Sequence, residues 1–157
     1  MPFAADTSHG FLSTRPVAGC ELCQSGGGLV VWGDDDWRVV RVEDAAFPAF
    51  YRVVCRAHVA EFSDLSLPQR DRCMALVCAV ERALIETVRP TKVNLASLGN
   101  VVPHLHWHVV ARFGWDSHFP QPIWGLHQRE VAPLAAERLA VSLAEVDAAV
   151  VCALNEA

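Results

Sequence analysis

The residues of this sequence whose types and spacing best suit chemistry are three histidines two apart, His104, His106 and His108. Successive side chains of an extended strand point to opposite faces, so the three imidazoles would share one face and the intervening apolar side chains the other. A strand rises about 3.3 Å per residue, which separates His104 from His108 by roughly 13 Å and prevents both from binding one metal ion. The row therefore predicts at least two different tasks for its members.

Imidazole can act as a nucleophile, a proton carrier or a metal ligand, and the spacing alone leaves two kinds of catalysis open. In the first, one histidine attacks the substrate and forms a covalent intermediate. In the second, His104 and His106 bind a catalytic metal ion, which needs a third ligand and an open coordination position. A purely structural role for the whole row is disfavoured, because three polar positions on one strand face give up apolar burial.

The six cysteines are interpreted as free thiols, since the N-terminus lacks the basic and apolar regions of an export signal. This predicts a cytoplasmic protein. Cys20 and Cys23 form a CxxC pair, which is a weak signal on its own. Zinc favours tetrahedral sets of cysteine and histidine, so the pair is either half of a zinc site or two free thiols beside a flexible arm.

Composition narrows the classes of partner. The chain has 157 residues, of which 52% are hydrophobic and 20% charged, as expected for one globular domain. A net charge of −5 and a single lysine, Lys92, argue against a nucleic acid polymer, because its phosphates are held by a basic surface. No uncharged apolar run reaches the length of about 18 residues that a membrane span requires. We therefore expect neither a nucleic acid polymer nor a membrane as partner.

The elements that would position these side chains follow from apolar periodicity and turn residues. Residues 1–18 show no period and are expected to form a flexible N-terminal arm, followed by a single domain over residues 19–157. Runs bounded by turn residues predict strands at 29–32, 37–42, 50–55, 92–95 and 101–113. Three- and four-residue apolar spacing predicts one helix from Ser66 to before Pro90 and a second over 130–154. This order predicts an α+β fold with an antiparallel β-sheet, a central helix and a C-terminal helix.

The segment Asn94–Phe113 resembles the signature of the histidine-triad (HIT) family of nucleotide hydrolases and transferases. That signature is His-φ-His-φ-His-φ-φ, where φ is apolar, and the sequence matches every position. The resemblance extends from about Cys20 to Arg112 and includes the CxxC pair and the Ala-His-Val run around His58. It implies a HIT-like fold, an antiparallel sheet and usually a homodimer.

The resemblance also implies roles for individual residues. His106 matches the nucleophile that attacks the α-phosphate of a nucleotide and forms a nucleotidyl-histidine intermediate. His108 matches a residue that contacts the phosphate or leaving group and is implied as both catalytic and substrate-binding. Asn94, Gly99 and Asn100 match positions near the nucleotide phosphate. The substrates implied are dinucleoside polyphosphates, nucleoside phosphoramidates or similar molecules, and no organic cofactor is implied.

Some bacterial members of the family bind zinc through a matching cysteine pair and two histidines. Carried over by resemblance, the ligands are Cys20, Cys23, His58 and His104. A closed set of four ligands leaves no position for water, so the zinc would be structural. His104 would then bind the metal while His106 and His108 carry out the chemistry.

One departure from the family pattern keeps a further reading open. Many members have serine or threonine at the position of Val101, and valine cannot donate a hydrogen bond. A nucleotide-binding module with little turnover is therefore an alternative. In the loop 114–127, we expect Trp115, His118 and Trp124 to pack the loop itself rather than cover a nucleotide base.

Overall fold

The computed structural model describes residues 15–157. Most of the predicted N-terminal arm, residues 1–14, lies outside the described residues. No helix in the described part of the chain combines the length and apolarity needed to cross a membrane.

Within residues 15–157, five strands form one antiparallel sheet, as predicted. They are β1 (Leu29–Gly33), β2 (Trp37–Arg41), β3 (Phe50–Cys55), β4 (Lys92–Ala96) and β5 (His106–Arg112). Their spatial order is β1-β2-β3-β5-β4, so the histidine-bearing β5 lies between β3 and the edge strand β4. A central strand is held by hydrogen bonds on both sides, which fixes its side chains in register.

In the described part of the chain, three α-helices accompany the sheet: α1 (Glu21–Gln24), α2 (Leu67–Val88) and α3 (Leu143–Asn155). The predicted start of α2 is confirmed, because the Ser66 backbone N–H donates to the Gln69 side chain at 2.8 Å, as in a capping box. The helix ends at Arg89, which adopts a left-handed conformation just before Pro90. The α+β prediction is confirmed.

One face of the sheet lies in the hydrophobic core, and the other carries the histidines. Val53 of β3 and Val109 of β5 are fully buried on the face that packs against α2 and α3 in the main hydrophobic core. The opposite face carries Arg52 beside His108, and Val54 beside His106, since these are register partners across β3 and β5. The alternation predicted for the histidine strand therefore places the apolar residues in the core and the imidazoles on the face away from α2.

The prediction of a helix over 130–154 is wrong in its first half. Only Leu143–Asn155 is α-helical, and a single 3-10 turn covers Ala135–Arg138. Pro133 lacks a backbone N–H and interrupts helical bonding, whereas Ser142 caps α3 by accepting from the Glu145 backbone N–H at 3.3 Å. The apolar periodicity continues through the irregular segment, so spacing alone overextends the helix.

The strand predicted at 101–113 is also shorter than expected. β5 begins at His106, and His104 lies just before it. Pro103 cannot donate to a strand ladder, and the His104 backbone N–H instead bonds Val102 O at 2.8 Å. His104 is therefore placed by a turn just before the ladder begins, and its side chain meets the α1 cysteines.

Candidate functional site

Two cysteines and two histidines from distant parts of the chain form one cluster. The short helix α1 places Cys20 and Cys23 one turn apart, on the same side. Cys20 Sγ lies 3.4 Å from His104 Nδ1, and Cys23 Sγ lies 3.5 Å from the same atom and 3.4 Å from His58 Nδ1. All four ligand atoms lie within 4.8 Å of one another. The structure thus brings together the four residues that the family resemblance implied.

The cluster fits a tetrahedral zinc ion. Zn–S bonds of about 2.3 Å and Zn–N bonds of about 2.1 Å at a tetrahedral angle place sulfur and nitrogen about 3.6 Å apart, close to the separations here. His104 Nε2 lies 2.7 Å from Cys55 O, and because a carbonyl only accepts, Nε2 carries the proton. Nδ1 is therefore the nitrogen with the free lone pair, and it faces the sulfurs.

A buried arginine fixes the segment that carries the cysteines. Arg38 of β2 donates to the carbonyl oxygens of Leu22 at 2.6 Å, Gly26 at 3.2 Å and Ser25 at 3.3 Å. The turn that follows needs glycine at position 27, where φ is 79° and a Cβ would lie 2.5 Å from Leu22 Cδ2. This anchoring lays α1 against the histidine face of the sheet.

His106 is held in one tautomer by the backbone carbonyl of His104. Its Nδ1 lies 2.6 Å from His104 O, so Nδ1 carries the proton and Nε2 has the free lone pair. Burial lowers the pKa of His106; the carbonyl of His104 opposes this shift, and the positive charge of Arg52 adds to it. A neutral imidazole with a free lone pair is the form a nucleophile requires.

A cleft of ≈ 460 Å³ lies over this histidine. It is lined by α1, by β3 and β5, and by the two loops that flank β5. The lining residues are Glu21, Leu22, Arg52, Leu98, Gly99, Asn100, Val101, Val102, His106, His108 and Trp124. A second cavity of ≈ 310 Å³ also reaches His106 and includes Glu61, Phe62, Ser97 and Trp107 in its wall. The cleft is large enough for part of a nucleotide.

His108 completes the imidazole pair in the cleft. Its ring stands edge-on to His106, with centroids 4.7 Å apart, and lies 5.0 Å from the Trp124 ring. Burial lowers the pKa of His108 to about 3, with further lowering by His106 and Arg52, so the side chain is neutral at pH 7. Its Nδ1 is buried and finds no hydrogen-bond partner among residues 15–157.

The predicted substrate residues divide into two groups. Gly99 and Asn100 line the cleft, as does Val101, whose side chain is 93% exposed at the rim. Asn94 is not part of the lining, and its Oδ1 accepts a hydrogen bond from Arg112 at 2.7 Å. Its place near the phosphate stays a prediction.

The aromatic side chains of the loop after β5 differ in their surroundings. Trp115 stacks on Phe113 at 4.7 Å and packs as expected, and His118 lies 5.4 Å from the ring of Phe47. Trp124, by contrast, is 52% exposed and forms part of the cleft wall. The expectation that Trp124 only packs the loop is therefore wrong. Arg52 is a cleft residue that the sequence analysis missed, although an arginine within an apolar strand was a possible signal.

The geometry agrees with the comparison to known families. The family model of the HIT domain matches residues 28–114. The chain belongs to the HIT family. This places it in a superfamily of nucleotide-binding proteins, most of which are hydrolases and transferases.

Solved structures of HIT proteins share the fold. A histidine triad protein from Bradyrhizobium japonicum is 30% identical, with a TM-score of 0.63 over 83% of this chain and 90% of that chain. One from Marinobacter aquaeolei is 26% identical, with a TM-score of 0.66 over 83% of this chain and 91% of that chain. A zinc-bound histidine triad family protein from Mycobacterium smegmatis shares the fold. It is 16% identical, with a TM-score of 0.53 over 82% of this chain and 85% of that chain. Among proteins with curated descriptions, none matches significantly.

Proposed function

We propose that this HIT protein hydrolyses or transfers a nucleoside monophosphate group through a covalent nucleotidyl-His106 intermediate. The observation that carries the proposal is the hydrogen bond from His106 Nδ1–H to His104 O, 2.6 Å long, which leaves Nε2 free in a residue lining the cleft. The lowered pKa of His106 keeps that nitrogen unprotonated at neutral pH. The substrate is a dinucleoside polyphosphate, a nucleoside phosphoramidate or a related nucleotide.

In the first step, the Nε2 lone pair of His106 forms a bond to the α-phosphorus. The P–O or P–N bond to the leaving group breaks, and its electron pair goes to the leaving atom, which takes a proton from water. A neutral His108 still carries one N–H and can donate a hydrogen bond to a phosphoryl oxygen or to the leaving atom. The Nδ1–H bond to His104 O stabilises the positive charge that develops on the ring of His106.

In the second step, a water oxygen forms a bond to phosphorus and the P–N bond breaks. The electron pair returns to Nε2 of His106, and one water proton is released to solvent. The products are a nucleoside monophosphate and the free imidazole. Splitting one displacement into two lowers each barrier, which is the advantage of covalent catalysis.

We further propose that Cys20, Cys23, His58 and His104 hold a structural zinc ion. When bound, the metal would cross-link the α1 segment to the start of β5 and so fix Leu22 and Glu21 in the cleft wall. The donor set and its separations support this, and the Mycobacterium smegmatis relative is described as zinc-bound. A catalytic metal on His104 and His106 is disfavoured, because Nδ1, the nitrogen of His104 with the free lone pair, faces the sulfurs of Cys20 and Cys23.

One observation favours a binding module with little turnover as the second candidate. Val101 stands fully exposed at the rim, where a hydroxyl donor is common in the family, and it offers the substrate no hydrogen bond. Both candidates predict nucleotide binding in the same cleft. They differ in turnover.

The experiment is a turnover assay with a panel of dinucleoside polyphosphates and nucleoside phosphoramidates, on wild type and His106→Asn. The proposal expects release of a nucleoside monophosphate by wild type and a loss of at least about 10³-fold in the variant, since a nucleophile is removed. His127→Asn, which removes an exposed histidine outside the cleft lining, is the matched control and should retain activity. Binding without turnover in wild type would favour the binding module.

We also propose that residues 19–157 act as one HIT-like domain in a cytoplasmic homodimer. All six cysteines are free thiols, which suits a reducing compartment. β4 is an edge strand with Leu95 40% exposed, and such an edge can pair with a second copy. Light scattering coupled to gel filtration tests the dimer, and a monomer at micromolar concentration would overturn it.

A further inference from the structure

Arg52 is a half-buried arginine without a carboxylate partner in the described part of the chain. Arg41 pairs with Asp147 at 2.9 Å and Arg112 pairs with Asp116 at 2.8 Å. The buried Arg38 also lacks a carboxylate partner, but it donates to three backbone carbonyls, whereas Arg52 donates to one. No ion pair to Arg52 occurs among residues 15–157. A shielded guanidinium without a counter-ion is costly, so its position requires an explanation.

The protein contacts of Arg52 hold the guanidinium in place without neutralising it. Nη1 donates to Gly27 O at 3.3 Å, and the guanidinium carbon lies 5.6 Å from the centre of the Phe50 ring. Nε is buried and has no partner among the described residues. The side chain is thus oriented, and donor capacity is left over.

The surroundings of Arg52 point to an anion. Arg52 is the cross-strand neighbour of His108 and lines the same cleft as His106. It is the one arginine or lysine among the described residues that form this lining, and Glu21 is the one carboxylate. A phosphate that reacts at His106 needs a positive charge beside it, because charge on its oxygens must be balanced in the transition state.

We propose that Arg52 binds the oxygens of the reacting phosphate and is the residue that supplies positive charge to it. The guanidinium offers planar, paired donors that match two phosphoryl oxygens. The inference rests on the proposed function in one respect, which is that a nucleotide phosphate lies at His106. It adds a phosphate-binding residue on β3, outside the histidine row.

The test is calorimetric binding of nucleoside 5′-monophosphates and of the matching nucleosides to the purified protein. The nucleoside monophosphate with the highest affinity for wild type serves as the probe. Arg52→Gln should weaken binding of the monophosphate about ten- to hundredfold, as expected for a lost charge-assisted hydrogen bond, and change nucleoside binding less than about twofold. Arg52→Lys should recover part of the loss, because it retains the charge without the paired geometry.

Two controls separate local from general charge effects. Arg82→Gln removes the same charge from the exposed surface of α2, on the other side of the sheet, and should leave both affinities unchanged. Glu21→Gln removes a negative charge from the cleft wall and should strengthen monophosphate binding. Thermal unfolding of each variant checks that it is folded.

The outcomes distinguish this inference from the proposed function. Equal losses for monophosphate and nucleoside in Arg52→Gln would mean that Arg52 only maintains the shape of the cleft, and would overturn the inference alone. Unchanged affinity of Arg52→Gln for both the monophosphate and the nucleoside would also overturn the inference alone. If wild type binds none of the nucleoside monophosphates, the proposed function fails and the inference with it.

Discussion

At the scale of single residues, backbone carbonyls hold His104 and His106 in opposite tautomers. Cys55 O accepts from Nε2 of His104 and leaves Nδ1 free to face the cysteines. His104 O accepts from Nδ1 of His106 and leaves Nε2 free for the cleft. The same kind of hydrogen bond, made to opposite ring nitrogens, thus suits one imidazole to the proposed role of metal ligand and the other to the proposed role of nucleophile.

The buried imidazole of His108 should make stability depend on pH. Its pKa is lowered to about 3 by burial, and by the neighbouring His106 and Arg52, whereas the unfolded side chain has the ordinary value of 6.5. Above pH 6.5 both states are neutral and the group has no effect. As pH falls from 6.5 towards 3, only the unfolded state gains the proton. The contribution of His108 to the free energy of unfolding should therefore fall by up to about 1.4 kcal/mol per pH unit.

The measurement is urea unfolding of wild type and His108→Gln at pH 7.5, 6.0, 5.0 and 4.5. We expect the stability difference between the two proteins to shift in favour of the variant as pH falls. Glu21, the carboxylate of the cleft wall, and the other histidines are present in both proteins, so their titration largely cancels in the difference. A difference independent of pH would contradict the account of His108.

At the scale of elements, the loop after β5 is held by one buried ion pair. Asp116 accepts from Arg112 Nε at 2.8 Å and Nη2 at 3.0 Å, and also from the backbone N–H groups of Phe113, His118 and Phe119. Burial opposes ionisation of Asp116, but the hydrogen bonds from Arg112 and the backbone outweigh it and lower the pKa. The loop that ends in Trp124 is therefore anchored at its start.

Asp116→Asn should destabilise the protein by about 3–5 kcal/mol, since it leaves the Arg112 guanidinium buried without its counter-ion. Chemical unfolding at pH 7 measures the loss, with Asp35→Asn, an exposed aspartate in the β1–β2 turn, as the matched control. Trp124 lies on the same loop, so we also expect bound nucleotide to quench tryptophan fluorescence less in Asp116→Asn than in wild type. A loss below about 1 kcal/mol would show that the pair does not hold the loop.

The elements also show what the sequence could predict. Alternation of apolar and histidine residues after position 104 correctly placed His106 and His108 on one face, because the two-residue period of a strand is a local property. The start of the strand was less accessible, since Pro103 cannot donate to the ladder and β5 begins only at His106. Arg52 could not be placed in the cleft, because the pairing of β3 with β5 depends on tertiary register.

At the scale of the whole molecule, the cysteine and histidine cluster connects three distant segments. Cys20 and Cys23 precede the sheet, His58 follows β3 and His104 precedes β5. Residues 21 and 22, between the two cysteines, line the cleft. A metal ion at the cluster would therefore couple the stability of the fold to the shape of the cleft.

Loss of the metal should lower the thermal stability of the whole domain. We expect about one equivalent of zinc in wild type and less than a tenth of that in Cys23→Ser, with a fall of at least about 10 °C in the unfolding midpoint. Cys78→Ser, which changes an exposed thiol on α2, is the matched control and should keep both the zinc and the midpoint. Zinc retained in full by Cys23→Ser would rule out the cluster as its site.

The account depends most directly on a covalent bond between His106 and the nucleotide. The decisive measurement is intact-mass spectrometry after rapid, acid-free quenching of a reaction with an adenosine phosphoramidate or a dinucleoside polyphosphate. We predict a mass increase of one nucleoside monophosphate in wild type and in His127→Asn, and none in His106→Ala. An adduct that persists in His106→Ala, or turnover by wild type with no adduct at any quench time, would contradict the proposed mechanism.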